Sequence, residues 1–498
     1  MSGDPQLELA SPTGRWVLAA TVAGSGVAML TSTVVNVALP AIAAEFNGGT
    51  AGMQWVVNGY MLTLASLILL GCSLGDRLGR RRVFVWGTVI FTAASVTCAF
   101  AVNLPMLILS RIVMGVGGAL LTPGSLAIIQ ASFVVRDRPR AIGAWSALAG
   151  VSTAIGPLVG GWLIESLSWR AVFFLNVPLA VAVIYAAVRH VPETRDPDAS
   201  PHLDVLGAML ATVGLAGLTW AIVAAPGRGL DAAVAGAGGV GLAALIGFFL
   251  VEARIPDPML PLDVFRSRQF SAANALTFVV YAALGVVFFL LVVYLQSVLG
   301  YTPLQAGAAE IPITLLLLLL SERGGALAER IGPRLPLTFG PLLIAAGFYW
   351  LSFIRAGTPF ITGILPALIV EGLGLCLTVA PVTATVMAAA DERHSGVASA
   401  VNNAVARAAS LLAVAVIPVA AGLGADGFTQ PDVFQQGFAR AMWICAGMSA
   451  LGSVIAWVTI SDDVLSAGVD EQQPPARHDR NCGVDSPPLR LERDRVST

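Results

Sequence analysis

The chain has 498 residues, 56% hydrophobic and only 12% charged, where soluble globular proteins carry about 25% charged residues. Its formal net charge is −2, which says little where placement of charge matters more than its sum, and no nucleic-acid partner is expected. Charge is gathered in short clusters between long apolar runs, a pattern that excludes an ordinary soluble domain.

About 20 apolar residues are needed for a helix to cross a ~30 Å hydrocarbon core. Within that core only helices and closed barrels satisfy the backbone. The runs here are too long and too uniformly apolar for the ~10-residue alternating strands of a barrel. The expected fold class is therefore an all-α polytopic membrane protein.

In chain order, residues 1–14 are polar, with Asp4 and Glu8 and no basic residue before Arg15. That is a poor n-region for a cleaved leader, so a cytoplasmic N-terminal segment and a retained first helix are expected. Fourteen spans follow, at roughly 15–38, 54–75, 83–103, 105–130, 140–164, 170–189, 204–225, 231–252, 270–295, 303–322, 335–354, 360–388, 396–422 and 438–459. Residues 461–498, rich in charge, Pro and Gln, read as a disordered cytoplasmic tail.

Basic residues favour the cytoplasmic side of a membrane. With the N-terminus inside, seventeen loop arginines fall on the cytoplasmic face, and Arg170, Arg228, Arg355 and Arg440 fall outside. This places both termini in the cytoplasm. The five cysteines show no paired spacing, so neither disulfides nor a metal cluster is expected. His190, His202, His394 and His478 all lie in connectors or the tail. An intramembrane enzyme built on buried His is thereby disfavoured. No GxxxxGK[ST] loop is present, so ATP drive is not expected.

The turn GCSLGDRLGRRR at 71–82 has a close copy, GALAERIGPR, at 325–334. Asp76 and Glu329 lie 253 positions apart, and each is followed by Arg, one residue and Gly: Arg77 and Gly79, Arg330 and Gly332. Arg140 and Gly143 repeat as Arg393 and Gly396 at the same offset. The expected organisation is a six-helix bundle at 15–189, two inserted helices at 204–252 and a second six-helix bundle at 270–459. Paired repeats of this kind bind substrate near the membrane midplane between halves.

With these motifs in place, the chain resembles the major facilitator superfamily, in its fourteen-helix drug:proton antiporter branch of the EmrB/QacA type, over about residues 15–460. The resemblance implies a monomeric exporter of hydrophobic or amphipathic small molecules, drugs and antibiotics included. It implies alternating access in the cytoplasmic membrane, a proton gradient as energy source and no cofactor. The turn at 71–82 resembles the family's inner-face motif, with Cys72 in place of its leading Gly. Asp76, Arg77, Gly79, Arg80, Glu329, Arg330 and Gly332 are then the cytoplasmic gate. GVSTAIGPLVGG at 150–161 resembles the antiporter motif and contributes Gly150, Gly156, Pro157, Gly160 and Gly161. Glycine at such positions lets helices approach closely, and Pro bends them.

Arg111 matches the family's helix-4 arginine, which the resemblance implies serves proton or substrate coupling, with Met114 where Gln is usual. TSTVVNVALP at 31–40 resembles the family pattern but has Thr31 where that pattern has Asp. Thr31, Asn36 and Pro40 are expected to shape an outer cavity. The missing carboxyl puts helix-1 proton coupling in doubt, and it keeps open a uniporter or an exporter of an endogenous metabolite or lipid. Two carboxyls lie well inside apolar runs, Glu310 and Glu371. Burial disfavours a charged carboxylate, so these are the candidate proton carriers. Arg407 is a candidate partner for either. Trp55, Tyr60, Trp145 and Phe288 are candidate substrate walls.

Overall fold

The computed structural model describes residues 7–134, 136–196, 202–256, 258–389, 395–424, 427–428 and 430–465. The tail beyond residue 465, and with it most of the expected disordered segment, lies outside them. Its helices are α1 (Pro12–Phe46), α2 (Gly49–Leu78), α3 (Arg80–Ala99), α4 (Leu104–Ser132), α5 (Arg138–Ser166), α6 (Trp169–Phe174), α7 (Asn176–His190), α8 (Val205–Arg228) and α9 (Ala232–Glu252). They continue as α10 (Arg268–Ser297), α11 (Pro303–Ala309), α12 (Ile311–Ile331), α13 (Arg334–Leu351), α14 (Leu365–Ala388), α15 (Ser395–Ala420) and α16 (Pro431–Thr459). Among the described residues no strand is formed beyond one isolated bridge, Leu7 to Phe133.

Helix starts follow local chemistry. Ser11, Asn103, Asp204, Asp231 and Ser267 each accept a backbone N–H of the first turn, and Thr302 with Gln305 forms a capping box. Such caps satisfy donors that a helix end leaves unpaired.

Among the described residues twelve of the spans are long and apolar enough to cross a membrane, counting α6–α7 as one and α11–α12 as one. The expectation was fourteen. The two outside this set are α5 and α13. α13 has only 18 residues, with Arg334, Pro336 and Pro341 among them.

Helix pairing repeats along the chain. α3 packs on α4 as α13 packs on α14, α2 on α4 as α12 on α14, and α1 on α5 as α10 on α15. α8 and α9 pack on each other, and α8 lies against α2 and α15. The inserted pair thus covers a seam between the two repeats.

Two expected spans are broken. The run 170–189 divides at Leu175, between α6 and α7. The run from Pro303 is interrupted at Glu310, which ends α11 and begins α12. Pro312 is the cause, since it cannot donate its N–H to the preceding turn.

Candidate functional site

The two repeats meet tightly at one end and part at the other. At the end away from the 71–82 turn, Gln54 Nε2 donates to the Val414 carbonyl at 2.8 Å and Gln296 Nε2 to the Val37 carbonyl at 3.1 Å. The Phe428 N–H reaches Thr50 Oγ1 at 3.4 Å. The α5 glycines complete this closure. A Cβ added at Gly161 would lie 2.5 Å from the Pro303 carbonyl oxygen, and one at Gly307 would overlap the Pro157 carbonyl. Gly156 and Gly160 instead receive α1, against Thr33 and Val34. The motif expected to give a bent, close-packed helix is therefore a two-sided seam.

At the other end a cavity of about 1180 Å³ lies between α2, α4 and α5 on one side and α14 and α15 on the other. It runs from Ile68, Thr122 and Trp145 to the exposed His202 and Arg266. Of the four expected aromatic walls only Trp145 lines it, with its indole N–H on Ser25 Oγ at 3.1 Å. Tyr60 is instead buried beneath Arg111, whose guanidinium carbon sits 4.5 Å from the ring centroid.

Arg111 is 1% exposed. Its Nε donates to the Val56 carbonyl at 3.0 Å, and Nη1 meets Met114 Sδ at 3.3 Å. The thioether of Met114 thus occupies a position where an amide was expected, and still accepts weakly. Arg407 donates to Asn403 Oδ1 at 3.3 Å and interacts electrostatically with Tyr60 and Tyr281. Its expected pairing with Glu371 or Glu310 does not occur, because its helix face turns toward α2 and α10. Asn403 lines the cavity, so Arg407 braces the cavity wall.

Glu371 is fully buried, and neither carboxyl oxygen has a hydrogen-bond partner. It interacts electrostatically with Glu310 and with Cys445 of α16. Gly347 of α13 makes room for it, since a Cβ there would lie 3.0 Å from Glu371 Cβ. Glu310 Oε1 is likewise buried without a partner. The two carboxyls therefore interact inside the second repeat, away from the cavity lining, with Glu371 fully buried and Glu310 half-buried. α14 connects the two places: Thr383 and Met387 line the cavity. From Glu371 to Thr383 is about 18 Å along the helix at 1.5 Å per residue.

Thr31 is fully buried. Its hydroxyl has two acceptors in reach, the Val27 carbonyl at 2.8 Å and Asn176 Oδ1 at 2.9 Å, and Asn176 Nδ2 donates to Ser95 Oγ at 2.9 Å. This closed chain of polar groups ties α1, α7 and α3. Asn36 Oδ1 is buried without a partner, and Pro40 lies inside α1. Gly150 falls in α5.

The 71–82 turn is held by a tie from the end of α2 to the start of α3 and by long-range ties to the segment after α7. Arg80 Nε donates to Asp76 Oδ1 at 2.8 Å, and both residues line the cavity. Gly79 has φ +115°, a left-handed backbone that glycine adopts without strain. A side chain there would strike the Glu193 carboxylate. Glu193 accepts the Arg81 N–H at 3.1 Å, Arg80 N donates to the Thr194 carbonyl at 3.0 Å, and the Asp196 N–H reaches the Asp76 carbonyl at 3.0 Å. At the second copy Gly332 has φ +85°, and Asp462 accepts the Arg334 N–H at 3.2 Å. Glu193 and Asp462, each following the last helix of its repeat, are thus matching braces that the sequence reading missed. Glu329 and Arg330 are exposed, and among the described residues neither makes an ion pair. The two turns share a shape but not an ion pair.

Comparison with known proteins defines the class. The family model for the Major Facilitator Superfamily matches residues 21–414, and the chain belongs to that superfamily of non-enzymatic membrane transporters. It is 32% identical over 461 residues to a methylenomycin A resistance protein of Bacillus subtilis, covering 91% of this chain and 96% of that protein. It is 32% identical to a tetracenomycin C resistance and export protein of Streptomyces glaucescens, covering 81% and 75%. A puromycin resistance protein of Streptomyces alboniger is 32% identical, covering 93% and 96%. Among solved structures, the peptide transporter POT in complex with sulfate has a TM-score of 0.66 at 15% identity, covering 91% and 96%. A bacterial homologue of the human lysosomal transporter Spinster has a TM-score of 0.62 at 18% identity, covering 94% and 100%. These last two likenesses concern the fold.

Proposed function

We propose that this protein exports hydrophobic or amphipathic small molecules, antibiotics among them, by proton antiport with alternating access. The observation that carries the proposal is the buried, unpartnered Glu371 carboxyl beside Glu310, in a chain whose relatives are named for antibiotic resistance and export. A carboxyl with no donor is stable buried when neutral and costly when charged. Such a group takes a proton while enclosed and gives it up when water reaches it. Fourteen spans is the proposed count, with α5 and α13 crossing beside the twelve others. Both termini are placed in the cytoplasm of a monomer in the cytoplasmic membrane, and the cavity then opens inward.

In this cycle substrate enters the 1180 Å³ cavity from the cytoplasmic side. Arg111 and Arg407 fix the walls through Tyr60 and Asn403. Proton release or uptake at Glu371 and Glu310 alters α14, which lines the cavity further down. The glycine seam of α5 opens outward as the turns at 71–82 and 325–334 close inward. The protein's own groups suffice, and no cofactor is part of the scheme.

A second reading rests on Thr31. The helix-1 carboxyl of the resemblance is replaced by a hydroxyl that already has the Val27 carbonyl and Asn176 in reach. A uniporter, or an exporter of an endogenous metabolite or lipid, would need no proton there. Efflux and resistance in a sensitive host separate the two readings. Antiport predicts that a proton uncoupler returns accumulated drug to the level of cells lacking the protein. Extrusion against a gradient that survives the uncoupler rejects it.

A substitution tests the gate. Asp76→Asn removes the charge that Arg80 meets at the cavity edge. Efflux is expected to stall while substrate binding to the purified protein changes little. Normal efflux in that variant would remove Asp76 from the gate.

A further inference from the structure

The inserted helices carry a second buried carboxyl site that the transport scheme does not use. Asp204 caps the start of α8, and its Oδ1 accepts the Gly207 N–H at 2.7 Å. Glu252 ends α9, is 3% exposed, and its Oε2 accepts the Leu260 N–H at 3.0 Å. The remaining oxygens, Asp204 Oδ2 and Glu252 Oε1, are buried without a donor. They converge on one point: a Cβ at Gly207 would overlap Asp204 Oδ2 and lie 2.7 Å from Glu252 Oε1. Gly207 leaves the space in which the two carboxyl groups meet. Both residues line the cavity.

Ionised carboxylates are acceptors only, and two that face each other in a buried site repel. Among the described residues no basic side chain makes an ion pair with either. The other charged and titratable groups on this wall are Asp76 and Arg80 of the turn, Asp196 and His202 ahead of α8, and Asp263 and Arg266 beyond α9. The missing element is a positive ligand between the two oxygens.

We infer that Asp204 and Glu252 bind one proton between them, as an O–H···O carboxyl–carboxylate pair that clasps the two ends of the inserted helix pair. The bound proton is donated by one carboxyl to the other and exchanges with water in the cavity. Because Glu252 also holds the backbone at Leu260, the clasp fixes the connector from α9 to α10 along the cavity wall. When the proton leaves, the two carboxylates repel and the connector is released. The site is separate from Glu371 and does not depend on the direction of transport.

A hydrophobic carbodiimide, which reacts with protonated carboxyl groups in apolar surroundings, tests this on the full-length protein in liposomes, with peptide mass spectrometry as readout. Glu252 is expected to be labelled at acid pH and progressively spared as pH rises. In Asp204→Asn the amide donates permanently, so Glu252 can ionise. Labelling at the pH that marks the native chain should then fall about tenfold, equivalent to one pKa unit. Two results would overturn the inference: no labelling of Glu252 at acid or alkaline pH, or protection that follows added Na+ or Ca2+ and ignores pH, which would make the ligand a metal cation. The native chain alone carries the pH reading, so the test survives a variant that fails to fold.

Discussion

Glu371→Gln is expected to abolish proton-driven efflux, down to the level of a host without the protein, while leaving folding intact. The physical reason is the site's lack of donors. Neither Glu371 oxygen is hydrogen-bonded, and Glu310 adds a second acidic group rather than a cation. A charged carboxylate held there would cost several kcal/mol, so the enclosed state holds the neutral form. Gln reproduces that neutral form in size and polarity but cannot release a proton. The protein should therefore be as stable as the native chain, with an unchanged thermal midpoint in detergent, and still bind substrate. The cycle step that needs deprotonation should be lost. Wild-type efflux from this variant would rule out Glu371 as the coupling group. Efflux lost together with the folded protein would make it a structural residue.

The second large effect is expected at the seam. Gly307→Val places a side chain against the Pro157 carbonyl, and backbone on both sides leaves no flexible group to yield. Overpacking of this kind costs about 1–3 kcal/mol. Here the cost falls only on the state in which α5 and α11 touch. A bias of 1–3 kcal/mol shifts a two-state equilibrium about 5–150-fold, which is enough to hold the outer end open. Efflux should fall to a small fraction of wild type at normal expression. Leu304→Cys, placed in a background without the native cysteines, should become reactive to an impermeant thiol reagent from outside. A Cys at Leu304 that stays protected in Gly307→Val would mean that the seam is not the outer gate.

Both predictions draw on features that were unevenly legible. The apolar runs and the doubled turn gave the helical class and the internal repeat directly, because lipid leaves the backbone one local solution per run. Glu371 stood out because a carboxyl inside an apolar run is rare enough to mark itself. Its surroundings did not. Which helices converge on it depends on faces set by packing between segments far apart in the chain, and periodicity reports a face without naming its partner. The same limit hid Glu193 from its turn more than 110 positions away. It also hid the tie from Thr31 to Asn176 across 145 positions. Arg407 was misassigned for this reason: charge complementarity suggested a carboxyl, and the helix face led to Asn403 and two tyrosines. The break at Glu310 had a local signal, Pro312, but a proline inside a membrane helix more often bends than divides it. The Asp204–Glu252 meeting needed the hairpin itself, since the two residues stand at opposite ends of a helix pair.

The coupling claim is tested most directly in proteoliposomes with a pH-sensitive dye inside and a drug gradient as the only driving force. Drug moving one way is expected to drive protons the other way through the native protein, and Glu371→Gln is expected to move neither. Drug flux through the native protein with no opposing proton movement would contradict it.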